Sequence, residues 1–185
     1  MFGERKSCCR KHAVYFLKEG FIMFKIGDKV VYGQPGVCIL EDICEKEILR
    51  NQKNKYYVLR PMFQQNNVIY APVDSGKVFM RHIITRQQAN ELILQIPEIK
   101  KNLKSEADTP EDYRIGLESY ECSDLIELTA RIYERKQMAK ANKKKLGFSD
   151  EKYMKLAEEL LFGELAAALE IPYDEVMEYI EKRLA

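Results

Sequence analysis

The feature that most constrains this chain is a change of hydrophobic period near residue 84. Before it, apolar residues alternate with polar ones, as in a strand with one buried face. After it they recur every three or four residues, as on amphipathic helices. Strands followed by helices predict an α+β fold: a bent antiparallel sheet over residues 23–83, then a compact all-helical part over residues 84–185.

Residues 24–32, 37–40, 41–48, 56–62 and 68–73 carry the alternating pattern and are rich in β-formers. Pro35-Gly36 suits a type II turn, Pro presetting φ at the second position and Gly accepting φ > 0 at the third. Residues 51–55 read as a polar hairpin connection, Pro61 ends or bulges its strand, and residues 74–76 close the last one. Four or five short strands with short turns predict an SH3- or Tudor-type sheet. This segment holds no nucleophile motif, phosphate-binding glycine loop or metal-ligand cluster, and His82 is its only histidine.

In the helical part, Thr85 caps a helix running towards Pro97, and residues 100–108 read as a linker or loose helix. Thr109-Pro110-Glu111-Asp112 is a start signal: a hydroxyl cap, Pro at the first helical position, acids in the first turn. Ser123-Asp124 reads as a break and new cap, with Leu125, Leu128, Ile132 and Ala139 on an apolar face. Gly147 reads as a C-cap, Ser149 as the next N-cap, and residues 171–175 as the start of a last helix.

Charge is segregated along the chain. The formal total is +1, yet residues 1–22 carry +3, residues 23–83 carry +3 and residues 84–185 carry −5. This excludes a uniformly basic nucleic-acid coat. Residues 131–145 nevertheless hold seven basic side chains against the single acid Glu134. The five cysteines (Cys8, Cys9, Cys38, Cys44, Cys122) are odd in number and form no C-x-x-C pair, against a disulfide scaffold or a zinc ribbon. Cys8-Cys9-x-x-His12 lacks the ligands for a metal corner of its own. No metal or cofactor is implied. No apolar run has the length of a membrane span, so the expectation is a soluble cytoplasmic protein. Lys18-Glu19-Gly20 can be encoded as a purine-rich ribosome-binding sequence ahead of Met23. Residues 1–22 are accordingly expected to be translated leader, the alternative being a basic N-terminal extension.

The run Met23-Phe24-Lys25-Ile26-Gly27-Asp28-Lys29-Val30-Val31-Tyr32, followed by Pro35-Gly36-Val37, resembles the start of the CarD family of bacterial transcription regulators. Tyr56-Tyr57-Val58-Leu59-Arg60 and Ile69-Tyr70-Ala71-Pro72-Val73 fall at that family's later strands, and residues 150–169 resemble its late helix. The resemblance implies a Tudor-like module, shared with transcription-repair coupling factors, that docks on the β subunit of RNA polymerase. It also implies a helical domain that contacts promoter DNA near the upstream edge of the bubble and changes open-complex lifetime. The family's polymerase-contact positions fall on Lys46 and Tyr70, and edge-strand addition around Val68, Ile69, Tyr70 and Pro72 is expected. From the residues alone, Lys46 reads as a solvated charge and Tyr70 as a half-buried aromatic.

The DNA half departs from the family pattern. Relatives place a tryptophan wedge where this chain has Thr109-Pro110-Glu111-Asp112-Tyr113-Arg114, and there is no tryptophan in the sequence. Arg114 matches a basic position, and Tyr113 reads as core. The stretch 131–145 then supplies sequence-independent phosphate contacts through Arg131, Arg135, Lys136, Lys140, Lys143 and Lys144, or else is a solvated helix face. The expected partners are the polymerase β subunit and promoter DNA. The alternative is a protein-only polymerase adaptor. No set of residues points to an enzyme.

Overall fold

The computed structural model describes residues 24–49, 52–64, 67–73, 79–103 and 109–185. The expectations on residues 1–22, on Cys8, Cys9 and His12 and on the turn at 74–76 lie outside the described residues.

Among the described residues, five antiparallel strands form one sheet in the order β4-β3-β2-β1-β5. They are β1 (Lys29–Tyr32), β2 (Val37–Leu49), β3 (Gln52–Pro61), β4 (Ile69–Pro72) and β5 (Met80–His82). The period-2 pattern puts Val30, Cys38, Leu40, Tyr57, Leu59 and Ala71 on one face, where they bury around Phe24. The pairing of β2 with β3 shifts register between Leu40 and Asp42, so the two segments of β2 expected from the sequence are one bulged strand. Pairing also reaches Leu49 with Gln52, well inside the stretch expected to be a hairpin connection.

The β1–β2 turn closes one residue earlier than the Pro-Gly spacing predicts. Gly36 N–H donates to the Gly33 carbonyl at 3.1 Å, and Tyr32 N–H then reaches the Gly36 carbonyl at 2.9 Å. Gly36 holds φ +70°, and a Cβ there would stand 3.3 Å from Leu160 Cδ2.

The helices are α1 (Arg86–Lys101), α2 (Pro110–Glu118), α3 (Cys122–Ala141), α4 (Phe148–Leu169) and, after a 3-10 turn at Tyr173–Glu175, α5 (Val176–Leu184). Thr85 and Thr109 cap as the sequence predicts, each in a capping box with Gln88 and Asp112 respectively. Helix α1 runs through Pro97 rather than stopping there. Packing of Ile93 and Ile96 outweighs one lost backbone bond, and Lys100 and Lys101 suit the helix end.

Three expected caps fall elsewhere. Helix α3 starts at Cys122 after the left-handed Tyr120 (φ 52°), not at Ser123-Asp124. It ends in a Schellman motif at the left-handed Lys143, with Lys144 N–H donating to the Ala139 carbonyl at 2.8 Å. Gly147 is therefore the N-cap of α4, not a C-cap, and Ser149 lies inside that helix.

Helix α4 is the keel. Its first half joins Tyr113, Leu125, Leu128 and Ile132 in the helical core, and every residue from Gly163 to Leu169 is buried. Its last turns also meet the sheet, where Val31, Val37 and Ala167 bury together and Lys29 Nζ donates to the Ala167 carbonyl at 3.1 Å. The small residues Ala166, Ala167 and Ala168 permit this close approach.

Candidate functional site

Among the described residues, strand β4 hydrogen-bonds only to β3, which leaves its other side as a sheet edge. Val73 N–H, just past β4, donates to the Lys55 carbonyl at 2.9 Å. By antiparallel alternation Ile69 and Ala71 also direct their backbone groups at β3, while those of Tyr70 and Pro72 point outward. Pro72 has no N–H to offer and so fits an outward position. Tyr70 thus presents the one backbone donor–acceptor pair of β4 that faces away from the sheet.

The side chains alternate as well. Ile69 packs against the sheet core, Ala71 is buried, Tyr70 is 40% exposed, and Val68 lies exposed just before the strand. Lys46, from β2, reaches across β3 and places its Nζ 3.4 Å from the centroid of the Tyr70 ring. The fold thus brings Lys46 and Tyr70 together at the free edge, two strands apart. A cation on a partly solvated ring contributes about 0.5–1 kcal/mol. It holds the ammonium above the edge, where an incoming acidic side chain can reach it.

The basic positions of the helical part divide by what surrounds them. Arg114, on α2, is held by two carboxylates of its own helix: it donates to Glu111 through Nε at 3.0 Å and to Glu118 through Nη1 at 2.6 Å. The hydrogen bonds it donates, first to Glu111 and then to Glu118, raise its pKa above the ordinary guanidinium value, and the triad carries a local charge of −1. Arg131 is half-buried, and its charge helps the Thr109 hydrogen bonds lower the pKa of Asp112.

Arg135 lies 3.6 Å from the buried Asp150 and 6.0 Å from the centroid of the Tyr113 ring. The Tyr113 hydroxyl donates to Asp150 at 2.7 Å, so these groups tie α2, α3 and α4 together inside the domain. Lys136 is exposed, and its charge partly offsets the burial that raises the pKa of Glu158. Lys140, Lys143 and Lys144 are exposed at the end of α3 and in the turn beyond it, with Lys145 following. The outward cationic surface is therefore this helix end rather than the whole stretch 131–145.

Pairing of sequence positions 83 apart escapes sequence reasoning. Arg81 on β5, itself half-buried, forms an ion pair with the buried Glu164 on α4. Its one sequence signal is Glu164 itself, a lone carboxylate in the apolar run Leu160 to Leu169. Among the described residues, no helix is long and apolar enough to cross a membrane.

Residues 24–84 match a family model described as the CarD-like/TRCF RID domain. The chain is also similar to a Bacillus subtilis (strain 168) protein described as "Putative transcription factor YdeB", with 30% identity over 146 residues. That alignment covers 77% of this chain and 90% of the relative.

Proposed function

This chain belongs to the CarD-like family, and from that premise we propose that it is a transcription regulator that docks on the β subunit of RNA polymerase through the β4 edge. Tyr70 offers its outward N–H and C=O to an extended segment of the partner, which adds as a sixth strand. Lys46, poised on the Tyr70 ring, takes an acidic side chain of that segment. The observation that carries this reading is the meeting of Lys46 and Tyr70 at a free edge. The resemblance assigns polymerase contact to both positions, and their meeting needs the whole β2–β3–β4 arrangement.

The helical part then reaches promoter DNA through Lys136, Lys140, Lys143 and Lys144, which contact phosphates without reading bases. The regulator acts on the lifetime of the open promoter complex, an effect of binding energy and not of covalent chemistry. Two-point attachment raises the effective concentration of weak DNA contacts, so a few lysines suffice once the sheet is docked.

The test is capture of the purified β subunit by the full chain. Wild type should retain β, and Lys46→Glu should lose most of it by placing like charges opposite one another. Equal capture by both would exclude the β4 edge as the docking surface. If β is retained but promoter fragments are not bound at low salt, the protein is an adaptor that leaves DNA to the polymerase.

A further inference from the structure

We infer that Arg81 and Glu164 are positioning residues, a buried polar joint that fixes the angle between the sheet and the helical part. Glu164, only 2% exposed, accepts hydrogen bonds from three separate elements. Arg81 of β5 reaches it with both terminal nitrogens, Nη2 to Oε2 at 2.8 Å and Nη1 to Oε1. Ile84 N–H, in the connection between β5 and α1, donates to Oε1 at 2.9 Å. The Cys122 thiol, in the first turn of α3, lies 3.2 Å from Oε2. Arg81 also donates to the carbonyl of the left-handed Tyr120, and its Nε faces Glu121 at 3.5 Å.

The apolar part of this seam is small, with ring contacts of Phe63 with Tyr173 and of Phe79 with Tyr120 at its rim. Its buried members are Val31, Val37 and Ala167, a far smaller cluster than either core it joins. Apolar contact is non-directional and tolerates sliding. A bidentate guanidinium–carboxylate pair is directional, and the further donors to Glu164 come from the β5–α1 connection and from α3. Sliding the sheet on α4 would strand a buried charge, so the joint admits one orientation and resists others. The consequence for regulation rests on the docking reading above. With the joint locked, the β4 edge and the lysines at the end of α3 are held at one separation, and the protein measures a fixed distance from polymerase to DNA.

The test needs neither partner. Residual dipolar couplings of backbone amides are measured on the full chain, wild type and Arg81→Ala. Wild type should fit one alignment tensor across sheet and helices. Arg81→Ala should keep the chemical shifts of both cores yet require separate tensors for the two parts, and Arg81→Lys, which keeps the charge but loses the fork, should do the same. One tensor fitting all three proteins would overturn the proposal, because the joint would then be dispensable for orientation. Failure of Arg81→Ala to fold, with Glu164→Gln failing likewise, would overturn it too, since the pair would then be a requirement of folding and not a joint. The docking reading is tested separately, by capture of the β subunit with Lys46→Glu, so separate tensors beside equal capture by wild type and Lys46→Glu would leave the joint standing while the docking reading fell.

Discussion

Replacing Tyr113 with Phe separates a core role from a DNA-facing one at the position nearest the missing tryptophan. Tyr113 is 1% exposed, and its ring packs on Tyr153 with centroids 5.1 Å apart. Phe keeps that packing and opens no cavity. What it removes is the 2.7 Å hydrogen bond from the hydroxyl to the buried carboxylate of Asp150. A bond to a charged partner contributes about 1.5–3 kcal/mol, because its loss leaves the acceptor desolvated. Arg135, 3.6 Å from the other Asp150 oxygen, still holds part of that charge, which argues for the lower half of the range. The expected cost is about 2 kcal/mol. In a protein of this length each kcal/mol moves Tm by about 2–4 °C, so Tyr113→Phe should melt about 4–8 °C below wild type. The assay is thermal unfolding followed by circular dichroism, beside promoter-fragment binding at low salt. An unchanged Tm with weakened DNA binding would refute the reasoning and move Tyr113 from the core to the DNA surface.

Other consequences are as specific. Charge reversal of Lys140, Lys143 and Lys144 to Glu should weaken promoter-fragment binding and reduce the slope of log K against log salt by about 2–3, read by fluorescence anisotropy over a salt series. Burial pushes the Cys38 thiol from its ordinary 9.0 up to about 12 and raises that of Cys122, with the Glu164 charge adding to the latter. Mass-spectrometric alkylation of native protein should accordingly modify the half-buried Cys44 well before either. A raised thiol pKa means that the folded chain holds protons the unfolded chain releases. This contribution is complete below about 9 and is lost as pH climbs towards 12, so urea midpoints should fall across that window. Gly36→Ala should destabilise by at least about 1 kcal/mol in urea melts, since φ +70° strains any Cβ and the new methyl presses on Leu160.

Local chemistry is what the sequence displays well. Thr85 with Gln88 and Thr109 with Asp112 announce their helices because a capping box is complete within four residues. The sheet face around Leu40, Tyr57 and Leu59 is legible because alternation is also local. The end of α3 is not, since Gly147 is the statistically better C-cap and only the folded chain shows Lys143 taking the left-handed position. The basic stretch misleads for a related reason. A sequence counts charges but not their partners, and Arg114 and Arg135 meet carboxylates on the same helix or on α4. The Lys46–Tyr70 contact depends on register across three strands, and the Arg81–Glu164 pair joins positions 83 apart, so neither leaves a periodic trace.

The central claim is that the β4 edge touches the polymerase β subunit. The most direct measurement places a photoreactive aromatic at Tyr70 in the full chain, mixes it with core RNA polymerase and identifies the cross-linked subunit. Substitution at Lys152, exposed on α4, serves as the control. The account predicts a strong adduct to β from position 70 and none to β from position 152. No adduct at position 70 in a complex that still forms, or an adduct to a different subunit, would contradict it.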